Sequence, residues 1–525
     1  MIINKNYLFF LLFIYTVTGI YLSITTGISH DEYHEQLNWE INFSAIKNFF
    51  TNGDINILLN YNDKYHGIGF HFISQPFQIL LNNFVSTLNE VSLYGGFLIA
   101  KHSVIFLLFS VSGIFFYLLC LKISQNTNFS ILATFIYFLY PYFFGHAQIN
   151  PKDMPFLSIW IINSYLYLSI IENLFFEKKD IKKKIILLSF LTGYLVSIRI
   201  SGLIILIEYA IGLLILYNLK KINFFKFFKK YFINFILFFL LFLLFIYILN
   251  PIFWKNPLEL FNSIEWMGKY YNNVCTITLG KCIKSLNLPS SYYFIWFFFK
   301  LPILIIFGFL LFPIVEKKIF KNDVNSIYYG TLLFTLLAIL FIFMLKNIAI
   351  YNEIRHIMFL IPMIFIISLV NIFYFNKILY YITTTLVIFF FIIENYSTNP
   401  YQYTWLNSFA KLTNIQKNFE IDYWGISNKN LQRKIIQYSN ENLINKNTCV
   451  YGDLYVSEFL IKDNFTCFKN YSELDSAKLR PFFAYQNVAN VRRSKPKDCQ
   501  LIWNESYRYS FFDKNISAGT LWFCD

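Results

Sequence analysis

Apolar runs of about 18 residues or more, each long enough to cross a hydrocarbon layer roughly 30 Å thick, recur along this chain to about residue 394 and then stop. A single soluble core has no room for so many consecutive apolar segments. The pattern therefore predicts an all-α polytopic membrane domain over residues 1–395, followed by a small outward-facing α/β domain over 396–525. Composition agrees, with 56% of the 525 residues hydrophobic and only 14% charged. The expected spans lie near 7–27, 97–121, 128–146, 155–175, 185–198, 201–219, 231–250, 293–315, 327–345, 357–375 and 378–395, about eleven helices. The first has no convincing small-residue cleavage site after it and reads as a retained anchor.

The net charge of +14 does not point to nucleic acid, because the lysines stand in short runs between apolar segments and not on one amphipathic face. "EKKDIKKK" (177–184), "KKINFFKFFKK" (220–230) and "EKKIFKN" (316–322), together with Lys5, mark the cytoplasmic side. This gives a multi-pass protein with its N-terminus inside and its C-terminal domain outside; the membrane is read as a bacterial inner membrane, which puts that domain in the periplasm, with an endoplasmic reticulum as the alternative. The break "SIRISG" (197–202) reads as a tight outward turn between two short helices, since only that keeps both lysine runs inside.

Two residue types fit this topology. Cys275, Cys282, Cys449, Cys467, Cys499 and Cys524 all fall outside, an even set suited to disulfides in an oxidising compartment. Cys275 is expected to pair with Cys282, and the other pairings stay open. All seven histidines, His30, His34, His66, His71, His102, His146 and His356, fall in outward loops or at outward helix ends. Ionisable groups at membrane depth are costly and usually line a cavity, so this is the side to search.

The first outward loop, about 28–96, is far longer than a connector needs. "LNWEINFSAIKNFF" (37–50) and "HFISQPFQILLNNFVSTL" (71–88) have the spacing of interfacial helices, and Asp31 and Glu32 of "HDEYHEQ" (30–36) enter just before the first of them. A carboxylate at that boundary has the environment of a general base, a solvated loop acid or helix cap being the plainer alternative. "FGHAQINPKDMPF" (144–156) brings His146, Lys152 and Asp153 to the same side. Arg199 comes from "SIRISG", and Glu353, Arg355 and His356 come from "YNEIRHIMFLIP" (351–362). Each alone reads equally as a helix-end anchor; cations at several outward helix ends, facing one acidic loop, together predict a phosphate-binding pocket. No glycine-rich nucleotide loop is present in the sequence.

These motifs, in this order, resemble the polyprenyl-phosphate-dependent membrane glycosyltransferases with the GT-C fold, which include the protein O-mannosyltransferases and the aminoarabinose lipid A transferases. "HDEYHEQ" is similar to their first-loop Asp-Glu motif, "FGHAQINPKDMPF" to their second-loop motif and "NEIRHIMFLIP" to their late Arg-Tyr motif, with histidine where tyrosine is usual. "NPYQYTWLN" (399–407) and "FEIDYWG" (419–425) resemble segments that follow the last span in bacterial members. The resemblance implies an inverting transferase that moves a sugar from a polyprenyl-phosphate donor to an outward acceptor, whether protein, lipid A-like lipid or polysaccharide. It implies Asp31 as base with Glu32 supporting it or exchanging roles with it. Lys152, Arg199, Arg355 and His356 become donor phosphate ligands, and His66, His146, Asp153 and Glu353 supporting or acceptor-side residues. It implies no cofactor and no metal, although a divalent ion at Asp31 and Glu32 is conceivable.

In the outward domain, 424–443 has helical periodicity, and "TCVYG", "FFAYQNV", "QLIWNESYRY" and "TLWFCD" read as strands. "RRSKPK" (492–497) is a basic patch, read as a solvated loop with anionic headgroups or glycans as the alternative partner. No Cys/His spacing signals a structural metal. A lipid-linked sugar flippase would use a similar cavity but usually shows internal repeats and Gly/Pro-broken helices in matching halves, neither of which is read from the sequence. A polysaccharide polymerase or ligase usually carries its large loop late.

Overall fold

The computed structural model describes residues 5–178, 181–221, 223–268, 273–452, 457–476, 480–487, 496–512 and 514–525. Among these, seven helices are long and apolar enough to cross a membrane, or up to nine if two bent pairs each count as one span. In chain order the helices are α1 (Lys5–Ile24), α2 (His30–Asn52), α3 (Asn56–Leu59), α4 (Gly69–Asn89), α5 (Leu93–Ser124), α6 (Thr127–Leu139), α7 (Pro141–Ile149), α8 (Asp153–Phe175), α9 (Lys182–Ile198), α10 (Ile205–Lys220), α11 (Phe224–Leu249) and α12 (Glu259–Gly268). After the hairpin β1 (Cys275–Thr278) and β2 (Lys281–Lys284) come α13 (Ser291–Lys300), α14 (Ile303–Leu310), α15 (Phe312–Ile319), α16 (Asp323–Asn325), α17 (Thr331–Lys346), α18 (Ile361–Phe375) and α19 (Lys377–Ser397). Of the eleven expected spans, the one at 185–198 is α9, which with 17 residues is shorter than those seven, and the one at 7–27 is α1, of whose 20 residues Phe9–Ile24 count toward a crossing length.

Two expected spans are not straight. The one at 128–146 is α6 and α7, bent by 57°. Pro141 removes a backbone donor and holds Tyr140 out of helical geometry, at φ −57° and ψ 115°. The one at 293–315 is α13 and α14, bent by 119°, with Pro302 at the break. By contrast, "SIRISG" is the tight turn expected. Arg199 is extended, with φ −149° and ψ 135°, and a 3-10 turn over Ile200–Ile204 leads into α10.

Burial orders the bundle. Helices α8 and α18 are enclosed along almost their whole length, whereas α11 and α19 leave most of theirs open to the surrounding medium. Helix α8 lies between α5, α9 and α10. The basic runs gather at one end, where Glu177 pairs with Lys220 at 3.0 Å and Lys230 at 2.7 Å, and Glu172 pairs with Lys122 at 2.8 Å. The histidine-bearing loops gather at the other end.

The first loop is more helical than its sequence predicts. The helix expected over 37–50 begins at His30, so Asp31 and Glu32 lie in its first turn and not before it. The backbone N–H of Ser29 donates to Glu32 Oε1 at 2.7 Å, and this contact starts the helix seven residues early. Glu35, Asn38, Trp39, Asn42 and Ala45 are buried, so α2 is a packed element and not only a surface one.

No linker follows α19. Residues 398–427 fold onto the loop end of the bundle, with Trp405 Nε1 donating to Glu394 Oε2 at 2.8 Å and Asn407 Nδ2 to the Leu301 carbonyl at 2.9 Å. Beyond them, the helix Asn428–Glu441 packs on a five-stranded mixed sheet of β3 (Cys449–Gly452), β4 (Phe468–Asn470), β5 (Phe482–Asn487), β6 (Gln500–Tyr507) and β7 (Ile516–Cys524), in the order β4-β3-β5-β7-β6. The pairs of β3 are parallel and those of β7 antiparallel. In the basic patch at 492–497, residues 492–495 lie outside the described residues. Disulfides join Cys275 to Cys282 across the hairpin, Cys449 to Cys467 and Cys499 to Cys524, leaving Cys120 free and buried. Denatured protein kept oxidised should therefore titrate about one thiol per chain and fully reduced protein seven. A count of three or more before reduction would contradict these pairings.

Candidate active site

Four elements bring charged side chains to one place because each has an end there. Helix α2 contributes its first turn, α8 its first turn, the α9–α10 turn Arg199, and the 3-10 turn Arg355–Leu360 its first residue. The N-termini of α2 and α8 add the positive end of two helix dipoles.

Arg355 Nη1 lies 2.6 Å from Asp31 Oδ2 and 3.6 Å from Asp153 Oδ2, while Arg199 Nη1 lies 2.7 Å from Asp153 Oδ1. Charge thus alternates from Asp31 through Arg355 and Asp153 to Arg199. Arg355 and Asp153 are almost fully buried, whereas the Asp31 side chain is 40% exposed, which leaves it the open end of the chain. Arg355 also stands over the rings of Tyr351, at 5.0 Å, and Trp424, at 5.4 Å. Among the described residues its Nε and the Nε1 of Trp424 are buried without a hydrogen-bond partner, so donors remain that a ligand's oxygens can take.

Partial desolvation pushes the Asp31 carboxyl up, but the charge and hydrogen bond of Arg355, with His30 and His34, outweigh it and hold the group below its ordinary value of 3.8. Lys152 sits beside this chain. Its Nζ meets Glu35 Oε2 at 3.0 Å and donates to the Gly67 carbonyl at 2.8 Å, which fastens the loop before α4. Burial lowers the Lys152 ammonium, and Glu35 opposes it. Burial, then the charges of Lys152, His34, Arg199 and Arg355, hold the His66 imidazole well below its usual range, so it is neutral. His66 Nε2 faces Glu35 Oε1 at 3.6 Å.

Other expected site residues are placed differently. Glu32 turns away from Asp31: its Oε2 meets His102 Nε2 at 3.1 Å, and both side chains are fully buried. His102 Nδ1 in turn faces the Ser23 carbonyl at 2.9 Å, so the pair ties α5 to the α1–α2 corner. Glu353 pairs with Lys300 at 2.7 Å in a fully buried site; burial pushes the carboxyl up to about 8 against the pull of Lys300. His356 packs on Tyr351 with ring centroids 4.5 Å apart. His146 reaches the network indirectly: Asn150 Nδ2 lies 2.9 Å from its Nδ1 and donates to Asp153 Oδ2 at 3.1 Å, and Tyr423 and Trp424 cover the ring.

Sequence reading missed Glu35, Lys101, Lys300 and Trp424. Glu35 had a signal, for it stands four residues after Asp31 and so on the same helical face. Lys101 and Lys300 were hidden inside apolar runs. Lys101 Nζ is fully buried and has no hydrogen-bond partner among the described residues.

No family model matches the sequence, and no curated protein matches it. Among solved structures the chain is similar to the crystal structure of ArnT from Cupriavidus metallidurans in the apo state, at 9% identity and a TM-score of 0.47, over 99% of this chain and 98% of that one.

Among the described residues Asp153 is the one carboxylate that touches both guanidiniums. Asp153→Asn should take from the partly buried Arg199 its one ion-pair partner among those residues and from the buried Arg355 one of two, and cost about 2–4 kcal/mol, read as a lower apparent Tm in detergent. Asp31→Asn, at the exposed end, should cost about 1 kcal/mol or less. Equal losses in the two variants would contradict this ordering.

Proposed function

We propose that this chain is an integral membrane glycosyltransferase that moves a sugar from a polyprenyl-phosphate carrier to an acceptor on the periplasmic side, with inversion. The observation that carries this reading is the alternating chain Asp31–Arg355–Asp153–Arg199 beneath two helix N-termini. Two guanidiniums, two dipole ends and spare buried N–H donors form an anion site whose present occupants are carboxylates. The apolar bundle beside it suits the hydrocarbon tail of a lipid-linked donor. The acceptor is a protein, a lipid A-like lipid or a polysaccharide.

The proposed chemistry follows from competition for Arg355. A donor phosphate enters and takes hydrogen bonds from Arg355 and Arg199, with Lys152 beside them. Asp31 then loses its cationic partner, its pKa rises, and it becomes a stronger base. It accepts the proton of the acceptor hydroxyl or amine as that atom bonds to the anomeric carbon. The carbon–oxygen bond to phosphate breaks, and the charge left on the polyprenyl phosphate is held by the guanidiniums. Glu32, locked to His102, acts in this scheme by holding the first turn of α2 in place. His356, Glu353 and His146 support the walls.

The sign of the pH dependence tests this scheme. In the free enzyme Asp31 is ionised down to below 3.8, so kcat/KM should show no acid limb above about pH 4. In the donor complex Arg355 has moved to phosphate, so the acid limb of kcat should lie at higher pH than that of kcat/KM. Transfer from a labelled polyprenyl-phosphate sugar should fall by at least about 100-fold in Asp31→Asn with insertion and folding unchanged. Full activity in that variant, or coincident acid limbs, would overturn the assignment, and donor translocation without sugar release would favour a flippase.

A further inference from the structure

A second group of side chains lies one helical turn along α2, outside the steps above. His34 on α2 and Asp63 and His66 in the segment between α3 and α4 each offer a ligand atom, all within 4.8 Å of one another. His34 Nε2 stands 3.7 Å from Asp63 Oδ2, and the two imidazoles meet edge to face with centroids 5.1 Å apart. His66 has its Nδ1 buried and, among the described residues, without a hydrogen-bond partner, an arrangement that costs free energy unless something binds there.

We propose that His34, Asp63 and His66 bind one divalent ion of the zinc class. Two imidazole nitrogens and one carboxylate oxygen form a mixed set that suits Zn²⁺, whereas Mg²⁺ and Ca²⁺ take oxygen ligands. Ligands at zinc distance in a tetrahedron stand about 3.3 Å apart, so no pair here has to close by more than about 1.5 Å. The His34 side chain is 42% exposed and free to make that rotation. Three protein ligands leave one position for water. Glu35, beside His66, is placed to orient that ring or to add an oxygen. The neighbouring cations do not forbid a dication, since Lys152 is paired with Glu35 and Arg199 with Asp153.

The position gives the ion a consequence. It would pin the segment between α3 and α4 to α2 three residues from Asp31, and that segment includes Gly67, whose carbonyl holds Lys152. The site is argued from ligand geometry alone and does not depend on the sugar-transfer reading.

The test uses the full chain in detergent without a polyhistidine tag, stripped with chelator and reloaded with Zn²⁺ or Co²⁺. Elemental analysis after desalting should find about one zinc ion per chain, and the double variant His34→Gln/Asp63→Asn less than about a tenth of that. No retained metal in the wild type, or full stoichiometry in the double variant, would overturn the proposal. Should the variant fail to fold, the zinc absorption edge of the loaded wild type decides by itself. Two imidazoles among light-atom ligands support the site, and sulfur ligation or the absence of imidazole overturns it.

Discussion

Two guanidiniums where helical ends meet, Arg355 buried and Arg199 partly so, need carboxylates, and this requirement organises the loop end of the bundle. Arg199 and Arg355 come from segments far apart in sequence, and among the described residues Asp153 alone reaches both. An unpaired buried cation costs several kcal/mol, more than most single contacts can return. The starts of α2 and α8, the α9–α10 turn and the turn before α18 are therefore held in mutual register by charge as much as by packing. Residues 398–427 close over them and add Trp424 to the face of Arg355.

The same arrangement separates rigid from exchangeable pairs. Glu32–His102 and Lys300–Glu353 are fully buried and tie helices together. Asp31–Arg355 has one open side, since the Asp31 carboxylate is partly exposed. An entering anion can compete for Arg355 there without dismantling the fold, because Asp153 still holds the guanidinium from behind. In the proposed reaction this asymmetry, and not the mere presence of an acid, gives Asp31 its role.

Much of this was legible in the sequence because apolar length, lysine placement and turn residues are local signals. The "SIRISG" turn, the long first loop, the strands near the C-terminus and the meeting of Asp31, Asp153, Arg199 and Arg355 at one end all followed from them. What was not legible depends on tertiary pairing. The start of α2 at His30 placed Asp31 and Glu32 on different faces, so two adjacent acids have different partners. Pro141 and Pro302 stood in plain view, but the unbroken apolar composition around them hid the bends of 57° and 119°. Lys300 reads as an interruption of an apolar run until Glu353 is found 2.7 Å away. Disulfide connectivity among four cysteines allows three solutions, and only the sheet register selects one.

The central claim is that Arg355 passes from Asp31 to the phosphate of a lipid-linked donor. Its most direct test is the equilibrium binding of a polyprenyl monophosphate to the full chain in detergent, wild type against Arg355→Gln. Affinity should fall by at least about tenfold in the variant, matching the loss of one charge-assisted hydrogen bond to phosphate. Unchanged affinity in a folded Arg355→Gln protein would contradict it.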